Sequence, residues 1–387
     1  MHLRKTSLFA CGLVTLASFA GSGCSEDGPS CATDADCEAS GQVCGESACV
    51  ARPPGFEIGH GDGSPGSVTF TDVHLTKLST QPVDIAFHPE RKGEAWVVGY
   101  GDHSIWLGTG LDTASPKWEY FTDPAAYHFM YKPPAIAMGV ADTWGTCGDN
   151  DNAQNARVPN YFMGPALFSA SLDVFPKVTP LGLGSHLDML HSTPFCRGIA
   201  HVEANWYWAF NAHDKALDLV NFAQDHGPGM DDHSDGEIYR YVEGQVKGVE
   251  GVSSHLFYDA EDKFLYVADT GNKRIVRLDT TKGTKGGRLS RRNEVLKASA
   301  VMNGVDVEEI VPPGTLEQPS GLEVKGGLLY VTDAATSTFH VFDKTGKELR
   351  TLATGLPAQS LSGFTFGPDG KIWFVDRKQG KVVRIDP

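Results

Sequence analysis

Residues 183–198, LGSHLDMLHSTPFCRG, place His186, Asp188 and His191 within six residues, just ahead of Cys196 and Arg197. Two imidazoles and a carboxylate at that density can ligate a metal or move protons. A second stretch, DHGPGMDDHSDGEIYRY (225–241), holds His226, Asp231, Asp232, His233 and Asp235. Its spacing suits a cation, calcium where the carboxylates dominate. Both stretches could equally be solvated loops. Asp188 could be a ligand, the acceptor that orients an imidazole, or the cap of a turn. The elements that hold these residues must decide.

The chain has 387 residues, 41% of them hydrophobic, with 44 glycines. That mix suits many short strands joined by turns better than a helical bundle. The formal net charge of −15 argues against a nucleic-acid partner, because phosphate binding needs clustered Lys and Arg. The one basic run, Lys282 to Lys297, is interrupted by glycine and reads as a solvated loop. No G-x-S-x-G elbow, H-E-x-x-H, P-loop or strand-linked G-x-G-x-x-G is present. Serine esterase, zincin and nucleotide-dependent classes lose support accordingly.

Internal similarity carries the fold. FLYVADTGNKRIVRLD (264–279), LLYVTDAATSTFHVFD (328–343) and KIWFVDRKQGKVVRID (371–386) share one plan. Each is an apolar strand ending in Asp (Asp269, Asp333, Asp376), a polar turn, and an alternating strand. Weaker copies are EAWVVGYGDHSIWLG (94–108) and NWYWAFNAHDKALDLVNF (205–222). A degenerate sixth fits residues 135–174, with a long insertion after Cys147. Units of this kind read as propeller blades, giving an all-β, six-bladed β-propeller. The last blade has only three strands before Pro387, which would leave an exposed edge. SVTFTDVHL (67–75) is an alternating strand with no blade of its own. Pairing it with the last blade closes the ring. The repeated aspartates read as structural, each accepting backbone N–H groups of the next turn.

YVADTGNKRIVRLD resembles an NHL repeat, and the resemblance covers 79–387, most clearly in the last three blades. NHL-type chains form six-bladed propellers, the same count. In such a blade, strands a to d run outward from the channel. The d-to-a and b-to-c connections therefore share one face. On this count His186 and His191 (d-to-a), His213 (b-to-c) and His255 (start of an inner strand) gather on that face. They form the expected metal set, with zinc or copper as the ion. The 225–241 cluster, a c-to-d connection, is expected on the opposite face. His255 also resembles, by position, the zinc histidines of peptidyl-amidoglycolate lyase-type propellers. Other inner-strand starts offer Asp84, Gly321 and Gly363 instead, so that histidine ring is not reproduced.

The N-terminus is expected to be an address rather than structure. Arg4 and Lys5, an apolar run Leu8 to Ala20, and Gly21-Ser22-Gly23 describe a secretory signal over 1–23. Cys24 resembles the lipidated cysteine of bacterial lipoproteins, although Gly21 stands where that box carries Leu. Residues 24–50 form a Cys-rich module whose Cys31, Cys37, Cys44 and Cys49 read as two disulfides of open connectivity. Residues 51–66 read as a linker and 67–387 as the propeller. Cys147 and Cys196 fall on one face and are expected to pair.

The expected function is an exported envelope protein, periplasmic or on the outer membrane or cell surface. It would bind a small molecule or peptide at a histidine-rich site, and a lyase or hydrolase reaction would use the cation as Lewis acid. Asp188 would serve as base and Arg197 would hold a carboxylate. The alternative is a non-catalytic surface propeller that binds envelope protein or glycan, its membrane contact made through the lipid anchor.

Overall fold

The computed structural model describes residues 30–151, 161–230, 232–290 and 294–387. The expected signal segment, Cys24 and Asp231 lie outside the described residues. Two compact units divide the chain at Pro53/Pro54. The first holds a two-stranded sheet, Gln42–Gly45 with Ala48–Ala51. Disulfides Cys31–Cys44 and Cys37–Cys49 settle the open connectivity. No helix among the described residues is long and apolar enough to cross a membrane.

The second unit is a six-bladed propeller of antiparallel sheets. Blade 1 runs Pro82–Phe87, Ala95–Gly99, Ser104–Thr109 and Lys117–Phe121. Blade 6 runs Leu361–Phe366, Ile372–Asp376 and Lys381–Asp386, and its outer strand is Thr69–Leu75. That pairing, from Thr69 opposite Asp386 to Leu75 opposite Lys381, is the expected ring closure. Blades 4 and 5 begin with inner strands Leu256–Asp259 and Pro319–Lys325.

The b strands are buried and mostly apolar because both of their faces pack against neighbouring blades. Between blades 1 and 2, for example, Trp96, Trp144, Phe168 and Phe175 are fully buried together. Two of the repeated aspartates act on the turn that follows, as expected, whereas Asp269 accepts the Lys247 N–H and the side chains of Asn272 and Arg274. Asp333 accepts the N–H groups of Glu317, Gln318, Ala335 and Thr336, and Asp376 those of Lys378 and Gln379.

Blade 2 differs from the sequence reading. It comprises Ile136–Met138, Thr143–Thr146, Ala166–Ser169 and His186–Met189. It therefore ends at 189 rather than near 174, and His186 sits on its outermost strand instead of in a connection. Blade 3 (Cys196–Glu203, Trp206–Asn211, Ala216–Asn221, Glu237–Tyr241) has the expected register but gains two strands. Ala298–Asn303 pairs parallel with Glu237–Tyr241, and Thr284–Lys285 pairs with it in turn. Both come from the basic run and its continuation, which crosses from blade 4 to blade 3 while residues 284–288 stay exposed. Leu289 and Leu296 are buried against blades 2 and 3, which fastens the crossing. Residues 54–66, read as a linker, pack on the propeller: Ile58 is buried with Tyr330 and Phe339, and Glu57 accepts the Tyr330 hydroxyl at 2.5 Å.

Candidate functional site

The sequence-expected metal set is not brought together. His186 is buried, donates Nδ1–H to the Leu183 carbonyl at 2.8 Å and stacks on Phe129 with centroids 3.6 Å apart. His213 lies among the rings of Tyr161 and Phe195. His255 stands in the central channel. Arg197 donates Nε–H to Asp149 at 3.0 Å, and Asp188 is engaged elsewhere, so the two expected catalytic residues share no partner. The Cys147–Cys196 disulfide is formed.

His191 belongs instead with the second cluster. The loop between Asn221 and Glu237 climbs along the outer strand of blade 2, where Gly229 donates to the His186 carbonyl at 2.7 Å. It therefore starts at the c-to-d end, as expected, and runs along the rim of blade 2. Its His233 places Nδ1 2.8 Å from Asp188 Oδ1, and its ring centroid is 5.2 Å from that of His191. The blade-4 crossing brings Glu294, whose Oε1 accepts the His191 backbone N–H at 2.8 Å while Oε2 lies 3.9 Å from His191 Nε2. One donor atom from each of His191, His233 and Glu294 falls within 4.8 Å of the others. Asp188, His226 and Asp235 form an adjoining set of the same size, in which His226 Nε2 meets Asp235 at 3.1 Å. Asp232 is exposed and caps the turn at Ser234. Burial raises the Asp188 carboxyl above its ordinary range, against the lowering pull of His233.

A different site occupies the channel. A cavity of about 220 Å³ is bounded by the inner strands. Residues late on those strands (Ala86, Met138, His201, Tyr258, Glu323, Thr365) are partly exposed, whereas Asp84, Ile136, His255 and Leu322 are buried. The cavity thus opens on the a-to-b face and ends blind. Its end is sealed by hydroxyls: Ser320 donates to the Ser253 carbonyl at 3.0 Å, Ser253 to the Pro134 carbonyl at 2.7 Å, and Ser362 reaches the Ser253 hydroxyl at 3.3 Å. Gly363 borders the blind end because a Cβ there would collide with the Asp84 carboxylate and the His255 ring.

The chemistry at that end is acidic. Asp84 accepts the N–H groups of Ile85 and Ile136 at 2.9 and 2.8 Å. His255 Nδ1 is 3.8 Å from Asp84 Oδ1, and its Nε2 has no hydrogen-bond partner. Burial drives Asp84 well above the carboxylate range and pushes His255 down to about 4. Glu323 is pushed up to about 8 by burial, with the charge of Asp84 adding to it. Sequence reasoning noted Asp84 and His255 but missed Glu323 and Glu294. The signal for Glu323 was an acidic residue inside an inner strand; Glu294 had none, since it sits in a run that read as solvated.

The face expected to carry the chemistry holds a broader depression bordered by Leu78, Gln81, Glu250, Arg377 and Lys378. There the Arg377 guanidinium lies over Tyr100, 5.0 Å from the ring centre, and bonds the Gly251 carbonyl.

No family model matches this chain, and no curated protein matches it in sequence. Solved structures match in fold. An auxiliary nutrient binding protein from Bacteroides ovatus is 14% identical, over 83% of this chain and 76% of its own, with a TM-score of 0.52. Another from Bacteroides thetaiotaomicron is 11% identical, covering 79% and 68%, with a TM-score of 0.51. A streptogramin B lyase is 12% identical, covering 82% and 97%, with a TM-score of 0.50. At such identity these likenesses establish the propeller and nothing finer.

Proposed function

We propose that this chain is an exported cell-envelope propeller that binds a small ligand in its channel and carries a divalent transition metal, zinc or copper, on its rim. The observation that carries the metal is the convergence of His191, His233 and Glu294 from three separate segments. Two imidazoles and a carboxylate suit zinc or copper. Asp188 against His233 Nδ1 is the carboxylate–imidazole pairing that fixes the tautomer and aims Nε2 at an ion. Calcium is supported less, because the adjoining set offers only two carboxylates where that ion takes six or more oxygens.

Such an ion supplies Lewis acidity and a more acidic bound water. The side chains of His191, His233 and Glu294 are only 10%, 10% and 8% exposed. They pin the outer strand of blade 2, the blade-3 loop and the blade-4 crossing to one point, so fastening is the first role of the centre.

The three disulfides among the described residues support export, and the letters around Asp269 support an NHL-type lineage. The lipid anchor at Cys24 belongs to the same reading. Nutrient binding protein and lyase are names of fold neighbours, and both agree with a ligand-binding propeller. The surface-docking alternative gains little: among the described residues Tyr127 is the one aromatic among the exposed large hydrophobics.

The test is elemental analysis of untagged protein purified from the periplasm, with His233→Ala and Asp188→Asn alongside. We expect near-stoichiometric zinc or copper, lost in His233→Ala and held about 10- to 100-fold more weakly in Asp188→Asn. Metal-free wild-type protein whose melting ignores chelator would refute the metal centre.

A further inference from the structure

The channel cavity is lined by Asp84, Glu323, His201 and His255 among apolar and aromatic residues, with no Lys or Arg. Lys325, at the end of an inner strand, and Lys344 are committed elsewhere: to Glu57 at 3.0 Å and to Asp259 at 2.9 Å. Two carboxyl groups, Asp84 at the blind end and Glu323 toward the mouth, therefore share the channel without a compensating cation, and the charge of Asp84 is felt at Glu323. Acidity alone would not make a site. The second observation is His255, whose side chain lines the cavity, is only 9% exposed and leaves Nε2 with no hydrogen-bond partner. A buried imidazole nitrogen left without a partner is destabilising, and a ligand N–H would satisfy it.

A bare metal ion fits poorly. Asp84, His255 and Glu323 are not among the described sets whose donor atoms converge within 4.8 Å. Asp84 already spends one lone pair of each oxygen on backbone N–H groups. An ammonium asks for acceptors spread around one nitrogen, and it carries three N–H donors. The cavity, about 220 Å³, falls below the roughly 300 Å³ at which drug-sized pockets begin. Its walls beside the acidic end are Ile136, Met138, Phe257 and Leu322, an apolar surface for a short hydrocarbon or aryl group.

We propose that the channel is the binding site for a small primary ammonium, its N–H groups taken by Asp84, Glu323 and His255 Nε2 and its carbon skeleton by Ile136, Met138 and Phe257. This rests on the small-ligand reading of the channel and is independent of the rim metal. The aromatic ring of Phe257 adds attraction for the cation from the side.

The test is isothermal titration of the full mature chain with butylammonium, phenethylammonium and butane-1,4-diammonium. Butan-1-ol, 2-phenylethanol and butyrate serve as controls of the same skeletons, and Glu323→Gln is measured in parallel. We expect at least one amine to bind about tenfold or more tighter than its alcohol, and Glu323→Gln to lose about tenfold or more of that affinity. Glu323→Gln keeps the side-chain shape, and its far-UV circular dichroism should match wild type. The amine-to-alcohol ratio in wild type tests the proposal even if the variant misfolds. Alcohols or butyrate binding as well as amines would overturn the ammonium assignment while leaving a small-ligand channel. Calcium or zinc binding there in place of every amine would overturn it in favour of an ion. Binding by none of the probes would overturn the ammonium and the channel reading together.

Discussion

Glu323 is the residue whose charge state most directly reports on the channel. Its carboxyl is pushed up to about 8 from an ordinary 4.5 by burial, with Asp84 adding to the effect. The folded chain therefore holds a proton there that the unfolded chain releases between those values. Its contribution to stability is full below pH 4.5 and is lost as pH rises through 8. Glu323→Gln cannot ionise, so it should melt progressively higher than wild type as pH is raised from about 5 to about 9. Below pH 4.5 the difference should become constant. Parallel melting curves across the whole range would show that the carboxyl is not held protonated by the fold. His255 and His74 act with the opposite sign. Both are pushed by burial to about 4 from 6.5, so their contribution is lost as pH falls through that window. His74 lies stacked 4.5 Å from Trp118. Acid should therefore loosen the closing strand and the channel together.

Among the elements, the b-to-c insertion of blade 2 depends most on a covalent tie. Cys147 and Cys196 close a loop with a sequence separation of 49, and the disulfide holds the start of blade 3 to the end of a strand only four residues long. In the chain-entropy view a loop of that length contributes about 4 kcal/mol. Cys147→Ser with Cys196→Ser should lower the urea midpoint by a corresponding amount, with the Cys-rich module left intact. A shift within error would mean that the buried packing of Tyr207 and Leu167 holds the insertion unaided. This element also shows what the sequence could and could not reveal. Blades 4, 5 and 6 were legible because their b strands are apolar runs closed by Asp269, Asp333 and Asp376. Blade 2 was only half legible: its strands are three or four residues long, too short for a period to emerge. Its outer strand, HLDM, alternates for only four residues, too few to stand out from a loop. The rim centre was hidden for a related reason. His191 and His233 meet because one loop climbs a neighbouring blade, and Glu294 joins them because a connection of blade 4 strays to blade 3. No local pattern encodes either path.

For the molecule as a whole, everything depends on a ring that the chain closes by returning to its own beginning. Each blade buries its faces against two neighbours, so opening one seam exposes apolar surface on both sides of it. The seam here lies inside blade 6, where Thr69–Leu75 supplies the outer strand to Lys381–Asp386. Besides the ladder, the seam holds Thr71 on Asp386 at 2.6 Å and Lys381 on Asp72 at 2.7 Å. Phe70 adds an edge-on contact with Phe374 at 6.1 Å. Surface ion pairs of this kind are worth little, typically below about 1 kcal/mol. The backbone ladder and the covered edge must therefore do most of the closing. Removing residues 1–75 leaves Lys381–Asp386 as a bare, regular edge with a template for another chain. Such a truncation should elute as soluble oligomers or precipitate, and its unfolding should begin at a lower temperature than that of the full chain. A peptide of residues 54–75 added in trans should restore the monomeric peak, because the strand it supplies is the missing one. If the truncated chain instead runs as a monomer with an unchanged melting point, the six inter-blade interfaces suffice, and the returning strand protects an edge without holding the ring.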